Sequence, residues 1–461
     1  MNGSLRDDLL AIWQAGLAGV AVDRLMRETV RLEQGCLVFG DLIVEPPRRL
    51  IVVGAGKGAG AMAAALETIL APLIDRHETT LTGWANVPDD CVRKLRHITL
   101  FGARPAGLNE PTATGVEGSR QMVELLDRLE SDDLCVCLLT GGGSALLPAP
   151  IPEITWEEKS AVTRFLSAAG ANIEQLNTVR KPLSRLKGGG LARRCRSRRL
   201  VTLILSDILG DPLDLIASGP TVPSRTGPAE ALDILKQFEA PFPRLLKILE
   251  AKKNASAAAE PECEVHNILI GNNAVAVDEA GIEAVRRGYA YIMQSAKEPE
   301  GEAESVGRSL LRFVLGMRDD ASNDRHHGTP NCLISGGEPV VRLVPPEHRG
   351  LGGRNQQLVL AALIEWLERG ASTGTGDSGI AFLSCGTDGE DGPTDAAGAF
   401  FDADVLAEMR RLELDPRPFL ERNDAYHFFE QVGSLIKTGP TGTNVCDLRV
   451  ALVRRPHGND S

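Results

Sequence analysis

Arg49-Leu50-Ile51-Val52-Val53-Gly54-Ala55-Gly56-Lys57-Gly58-Ala59-Gly60 is the stretch on which the fold is read. Its apolar half is too short for a helix and too continuous for a strand with one wet face, so it reads as a strand covered on both sides. The glycines stop that strand abruptly, and a helical segment, 61–70, follows. The same pattern recurs: 134–139 runs into Thr140-Gly141-Gly142-Gly143-Ser144, and 200–205 into Ser206-Asp207-Ile208-Leu209-Gly210-Asp211. Residues 332–334 run into Ser335-Gly336-Gly337-Glu338, and 380–383 into Ser384-Cys385-Gly386-Thr387-Asp388-Gly389-Glu390-Asp391-Gly392. Buried strands alternating with helices predict α/β layers with parallel sheets, whose ligands bind beyond the carboxyl ends of the strands. Gly, Ser, Asp, Glu and Lys gather at those ends here, so chemistry is expected at one rim, or at two rims across a cleft.

The rest of the composition narrows the class. A chain of 461 residues, 43% hydrophobic and 24% charged, is long enough for two domains with separate cores. A formal net charge of -12 disfavours nucleic acid and anionic membrane surfaces, both of which attract basic faces. No stretch approaches the roughly 18 consecutive apolar residues of a membrane span, and 9–26 is an amphipathic run preceded by Asp7 and Asp8; a cytoplasmic protein is expected, with a mitochondrial form not excluded. The nine cysteines are scattered through apolar segments, as reduced thiols are, and Cys135 and Cys137 read as buried small hydrophobes rather than a metal pair. Polar stretches at 251–264 and 318–330 are read as a domain boundary and a surface loop. A strand at 265–270 is then expected to restart the second domain, followed by a helix, 274–287, and a strand near 289–293.

Several turns could carry chemistry. Gly54-Ala55-Gly56-Lys57-Gly58-Ala59 matches a dinucleotide fingerprint, with Asp75 at roughly the distance of a ribose partner, but a lysine inside the turn suits a transferring phosphoryl group or a carboxylate better. Gly350-Leu351-Gly352-Gly353-Arg354-Asn355-Gln356-Gln357 leads into an apolar helix, 358–367, and has the layout of an anion site: close backbone approach, a helix N-terminus and a guanidinium fork. An ordinary turn capping a helix has the same glycines. Between Asn177 and Gly190, four basic groups, Arg180, Lys181, Arg185 and Lys187, surround a helix that Pro182 is expected to start, with Ser184 and Lys187 on one face. Asp207 and the acidic loop Asp388, Glu390 and Asp391 offer oxygen ligands for Mg2+, although such residues also cap turns through their own backbone. Histidine is absent from all these turns, which weighs against a Ser–His–Asp hydrolase and against zinc.

Taken in order, these motifs resemble the class of glycerate kinases that carry a C-terminal MOFRL domain, especially its animal members. The resemblance rests on Val53-Gly54-Ala55-Gly56-Lys57, Gly141-Gly142-Gly143-Ser144-Ala145, Asn177-Thr178-Val179-Arg180-Lys181 with Lys187-Gly188-Gly189, and Leu205-Ser206-Asp207. It continues through Ala217-Ser218-Gly219-Pro220-Thr221, Gly336-Gly337-Glu338-Pro339, Gly352-Gly353-Arg354-Asn355-Gln356, Gly386-Thr387-Asp388-Gly389 and Gly439-Pro440-Thr441-Gly442-Thr443-Asn444-Val445-Cys446-Asp447. It implies an α/β protein of two domains: a Rossmann-like parallel sheet over 1–255 and a smaller α/β domain over 265–461 containing the MOFRL region, about 331–455, with the active site in the cleft between them. It implies phosphorylation of D-glycerate by ATP with Mg2+, giving 2-phosphoglycerate.

Lys57 and Arg354 are the catalytic pair the resemblance implies, and Asp207 is our candidate base. Gly54, Gly56, Gly142, Gly143, Ser144, Lys187, Ser206, Glu338, Gly353, Asn355, Asp388 and Asn444 are expected to shape the substrate and nucleotide sites, and Asp207 and Asp388 to serve a metal. Two stretches depart from the family pattern: Pro182 stands where relatives often have His or Ala, and 101–114 lacks the usual His-Pro or Asn-Leu-Pro-Asp loop. The expected partners are D-glycerate and ATP, with the oligomeric state open. The alternatives are an NAD(P)-dependent hydroxypyruvate reductase and a non-catalytic sugar-acid-binding protein.

Overall fold

The computed structural model describes residues 4–108, 110–254, 260–323, 329–370 and 379–454. The chain divides into two compact units, one of Val22–Ile270 and the other of Met1–Ala21 with Gly271–Ser461. This division differs from the expected boundary in two ways. The amphipathic run read as 9–26 is two helices, Leu5–Gly19 and Val22–Thr29, that fall in different units. The strand expected to open the second domain is the edge strand of the first sheet.

In the unit Val22–Ile270, a three-stranded meander of β1 (Val30–Glu33), β2 (Cys36–Phe39) and β3 (Leu42–Val44) precedes the main sheet. Gly40, at φ +59°, turns the chain between β2 and β3. The main sheet contains β4 (Arg49–Ala55), β5 (Thr80–Pro88), β6 (Ile98–Arg104), β7 (Leu134–Leu139), β8 (Arg199–Leu205) and β9 (Glu264–Gly271) in the order β6-β5-β4-β7-β8-β9. Pairings from β6 through β8 are parallel. Every residue of β7 and all but the first of β4 and β8 are buried, which is why their sequences run apolar without alternation. Cys135 and Cys137 lie in that interior as free thiols, and burial pushes the Cys137 thiol up. Counted from β4 the order is that of a doubly wound nucleotide-binding sheet, reversing between β4 and β7.

The other unit is built on β10 (Tyr291–Ser295), β11 (Cys332–Gly337), β12 (Ile380–Gly386), β13 (Gly398–Phe401), β14 (Leu435–Ile436) and β15 (Asp447–Val453), in the order β10-β11-β15-β12-β13-β14. Only β10 and β11 pair in parallel; β15 inserts antiparallel between β11 and β12, so the sheet is mixed, not parallel as expected. The apolar runs misled here because burial on both faces erases alternation whatever the strand direction. Residues 318–323, read as loop, lie in the helix Ala303–Asn323, and 324–328 lie outside the described residues. No single helix among the described residues is long and apolar enough to cross a membrane.

The helix Leu5–Gly19 packs on this mixed sheet through Leu9, Ile12 and Trp13. A Cβ on Gly16 would lie 2.5 Å from Leu448 and 2.7 Å from the carbonyl of Ala276, so only glycine allows the approach. Asp8 fixes its orientation by accepting from Arg287 at 2.6 Å and the Tyr289 hydroxyl at 2.8 Å.

Candidate active site

In a doubly wound sheet the crevice opens where the strand order reverses, here at the carboxyl ends of β4 and β7. The two glycine turns at that point are laced together. Thr140 N donates to Ala55 O at 3.1 Å, Lys57 N to Gly141 O at 3.0 Å, Gly58 N to Thr140 Oγ1 at 2.9 Å and Gly56 N to Asn86 O at 3.3 Å. Gly56 sits at φ +138°, and a Cβ there would lie 2.0 Å from Thr140 Oγ1; at Gly54 it would press on Leu138 at 3.1 Å. Gly54 and Gly56 therefore close the turn, and its amides are engaged by the protein. Among the described residues no acceptor is bonded to the amides of Gly141 and Gly142, so the β7 turn keeps its donors. Gly142 is left-handed at φ +74°, and Gly143 is buried against Ala55 and Ala217.

At the neighbouring end of β8, a Cβ on Gly141 would lie 2.1 Å from Asp207 Oδ2, which places the Asp207 carboxylate against the β7 turn. Ser206 is buried and closes a local turn, its Oγ 3.3 Å from both the amide and the carbonyl of Ile208. Lys57 is exposed at the crest of its turn. Asp75 is the last residue of the helix Ala59–Asp75, at the opposite end from that turn, so it is not a ribose partner for it.

Ser144 closes the β7 turn and gathers the basic segment. Lys187 Nζ donates to its carbonyl and its Oγ, both at 2.7 Å, and Arg180 Nη2 reaches the Oγ at 3.3 Å. The Ser218 hydroxyl lies 2.8 Å from the same Oγ. Lys187 is buried, and burial first, then Arg180 and Lys159, holds its pKa well below the usual lysine range. The helix expected to begin at Pro182 instead ends before it: Ile173–Arg180 is the helix, and a proline two residues beyond has no N–H with which to continue it. Ser184 and Lys187 therefore do not share a helical face; they are tied through a turn in which Lys187 N donates to Ser184 Oγ at 3.3 Å.

In the other unit, Gly352 and Gly353 lead into the helix Arg354–Gly370. The expected anion site is there, but the anions are the protein's own. Asp391 accepts from Asn355 N at 3.0 Å and Gln356 N at 2.8 Å, and it lies so close that a Cβ on Gly353 would be 2.3 Å away. Arg354 donates to Asp447 from Nε at 2.9 Å and Nη2 at 3.0 Å, and to Glu338 from Nη1 at 2.8 Å. Burial works against the Arg354 charge, yet Asp447 and Glu338 outweigh it and leave its pKa raised. Asn355 bridges the two carboxylates, its Nδ2 3.0 Å from Asp447 and 3.3 Å from Asp391, while its Oδ1 accepts from Ser384 at 2.5 Å. Arg354, Asp388, Glu390 and Asp391 line one cavity of about 530 Å³. Asp388 accepts from Glu390 N at 3.2 Å, and Asn444 Oδ1 from Cys446 N at 3.2 Å, so both hold turns locally.

Asp391 provides a measurable pH effect. Burial pushes its carboxyl up to about 7, against the opposing pull of the Asn355 and Gln356 amides. An unfolded aspartate titrates near 3.9. Between about pH 4 and pH 7 the folded state thus holds the extra proton, and stability falls as pH rises through that window. Asp391→Asn should flatten this slope, seen in urea midpoints across the window, at a fixed cost of about 1 kcal/mol for an impaired helix cap. A wild-type midpoint that rises across the same window would contradict the assignment.

The structure thus brings Lys57, Gly141, Gly142, Ser144, Lys187 and Asp207 to one strand-end rim, and Glu338, Arg354, Asn355 and Asp391 to one network around Asp447. Asp207 and Asp388 fall on different units, and among the described residues no group of three or more His, Cys, Asp or Glu side chains could hold a metal. Sequence reasoning gave no role to Asp447, Lys159 or Arg180 individually. Asp447 stands at the start of a fully buried strand, and a carboxylate there requires a cation.

Residues 8–250 match the family described as "Domain of unknown function (DUF4147)" and residues 331–447 the MOFRL family. The glycerate kinase of Rattus norvegicus is 33% identical over 97% of this chain and 93% of its own. The D-glycerate 2-kinase of Thermotoga maritima is 37% identical over 88% of this chain and 91% of its own, and a putative hydroxypyruvate reductase of Agrobacterium vitis is 35% identical over 90% of each. The crystal structure of Thermotoga maritima glycerate kinase superposes with a TM-score of 0.82 at 32% identity, covering 97% of this chain and 99% of that one. With likeness of that extent in sequence and in structure, the chain belongs to the glycerate kinase family.

Proposed function

We propose that the protein transfers the γ-phosphoryl group of ATP to the 2-hydroxyl of D-glycerate, giving 2-phosphoglycerate. The observation that carries this reading is the β4/β7 switch point, where a lysine, two unengaged amides and a carboxylate meet at one rim. Phosphoryl transfer asks mainly for positioning and charge neutralisation, with little covalent chemistry from the protein. In this reading Lys57 neutralises the transferring group, the Gly141 and Gly142 amides hold its oxygens, and Asp207 accepts the hydroxyl proton. Ser144 and Lys187 face the acid. Arg354, Glu338, Asn355, Asp388 and Asn444 are the further groups that this reading assigns to substrate or nucleotide.

A nucleotide-borne Mg2+ keeps waters and phosphate oxygens and needs few protein carboxylates; Asp207, half-buried beside the β7 turn, would serve as one such ligand, and Asp388 is the half-buried carboxylate that the other unit offers. When bound, the ion would neutralise phosphate charge.

The strand order and the Agrobacterium vitis relative favour a second reading, reduction of hydroxypyruvate with a nicotinamide cofactor. Against it, the turn whose amides would face a pyrophosphate has Gly56, Lys57, Gly58 and Ala59 N already bonded to protein, and Asp75 is at the far end of the helix. The test is incubation with ATP, Mg2+ and D-glycerate, with the product identified by phosphorus NMR. Hydroxypyruvate-dependent oxidation of NADH or NADPH without phosphorylation would replace the kinase reading.

A further inference from the structure

We propose that the cavity lined by Lys159, Arg164, Arg180 and Lys187 is the subsite that recognises the carboxylate of the small hydroxy acid. This inference rests on the kinase reading for the identity of the acid, and on the cavity alone for its charge.

Lys159 lies on the helix Trp156–Ala168 and is only 5% exposed, yet its Nζ has no hydrogen-bond partner. A buried ammonium without a partner is costly, and an anion entering the cavity would satisfy it. Among the described residues no carboxylate bonds to it, and the one along the lining, Glu110, is exposed. Arg180 faces the same space, and burial lowers its pKa; burial and Arg180 together push Lys159 down to about 7. Trp156, Pro148 and Leu176 form apolar walls, which strengthen any charge-assisted bond made inside.

Size and position narrow the ligand. At about 250 Å³ the cavity suits a three-carbon acid and is cramped for a nucleoside triphosphate. It abuts Ser144, the residue that follows Gly141-Gly142-Gly143, through the bonds from Lys187 and Arg180. An acid anchored there lies on the Ser144 side of the turn whose donors are unengaged. The carboxylate shares its chemistry with inorganic phosphate and with the nucleotide's phosphates, so the experiment separates these sources.

D-glycerate, inorganic phosphate and ATP–Mg2+ are each titrated into the full chain by calorimetry, with KM measured for both substrates. Lys159→Met is expected to raise Tm without ligand, since it removes an uncompensated buried charge, while weakening D-glycerate binding about ten-fold or more. KM for ATP should stay within about two-fold. Arg164→Gln, at an exposed lining position, should weaken D-glycerate binding about three-fold without affecting folding. Wild-type affinity for D-glycerate in both variants, no binding of D-glycerate by the wild type, or weakening confined to ATP or to inorganic phosphate overturns the assignment. Lys159-dependent binding of D-glycerate without phosphorylation would leave the cavity assigned and remove the kinase reading; full turnover with unchanged KM in both variants would do the reverse.

Discussion

Arg354→Ala is expected to lose about 3–5 kcal/mol of folding stability, independently of any effect on turnover. The reason is Asp447. Its side chain is fully buried at the start of β15, and Arg354 is its cationic partner, through Nε and Nη2. Removing the guanidinium leaves a carboxylate in the interior with, among the described residues, the Asn355 side-chain amide for support, and such a group is destabilising far beyond the bond that was lost. Arg354→Lys should not restore the wild type, because an ammonium cannot span Asp447 and Glu338 as a planar fork does. Urea denaturation checks this directly, and Asp447→Asn offers the control. In the double variant the orphaned charge is gone, so the two losses should fall short of additivity by at least ~1 kcal/mol. A single variant as stable as the wild type, or strictly additive losses, would show that the network is not what holds this end of the sheet.

Lys57→Ala should behave in the opposite way. The side chain is exposed on a turn already closed by backbone bonds from Gly56, Lys57 and Gly58, so Tm should move by no more than about 2 °C. Turnover should fall by about 10²–10³-fold, on the order of 3 kcal/mol, which is the scale of losing one preorganised donor to a developing charge. Near-normal kcat in a folded Lys57→Ala protein would remove the lysine from the reaction. Together the two variants separate what the sequence had joined as a pair: one residue whose loss is felt first by the fold, and one felt only by the chemistry.

Much of this was legible beforehand because it is local. An apolar run ending in Gly-x-Gly has few structural solutions, so β4, β7, β8 and their turns stood out in the sequence, and with them Lys57, Ser144 and Asp207. What could not be read is long-range pairing. The sequence of 265–270 is the same whether it opens a new sheet or closes an old one, and only its neighbour β8 decides. The direction of β15 is equally silent, since a strand buried on both faces shows no period to orient it. The Gly352-Gly353-Arg354 bend shows the same limit in chemistry: its anion-binding character was correct, but the carboxylates that occupy it come from residues 391 and 447, far along the chain. Pro182 was misplaced for a local reason, because proline fits the first turn of a helix and the residues after its end equally well.

The helix Leu5–Gly19 is made before Val22–Ile270, yet the surface that covers Leu9, Ile12 and Trp13 includes β15, which is made after that unit. At usual translation speeds that interval is on the order of a minute, long enough for Val22–Ile270 to fold first. During it an apolar helix must wait beside the nascent chain without its partner. The order of assembly is thus set by the sheet: a segment made before the other unit finds its place only after it, and a chain released before β15 would keep that helix uncovered, a ready target for chaperones and for aggregation.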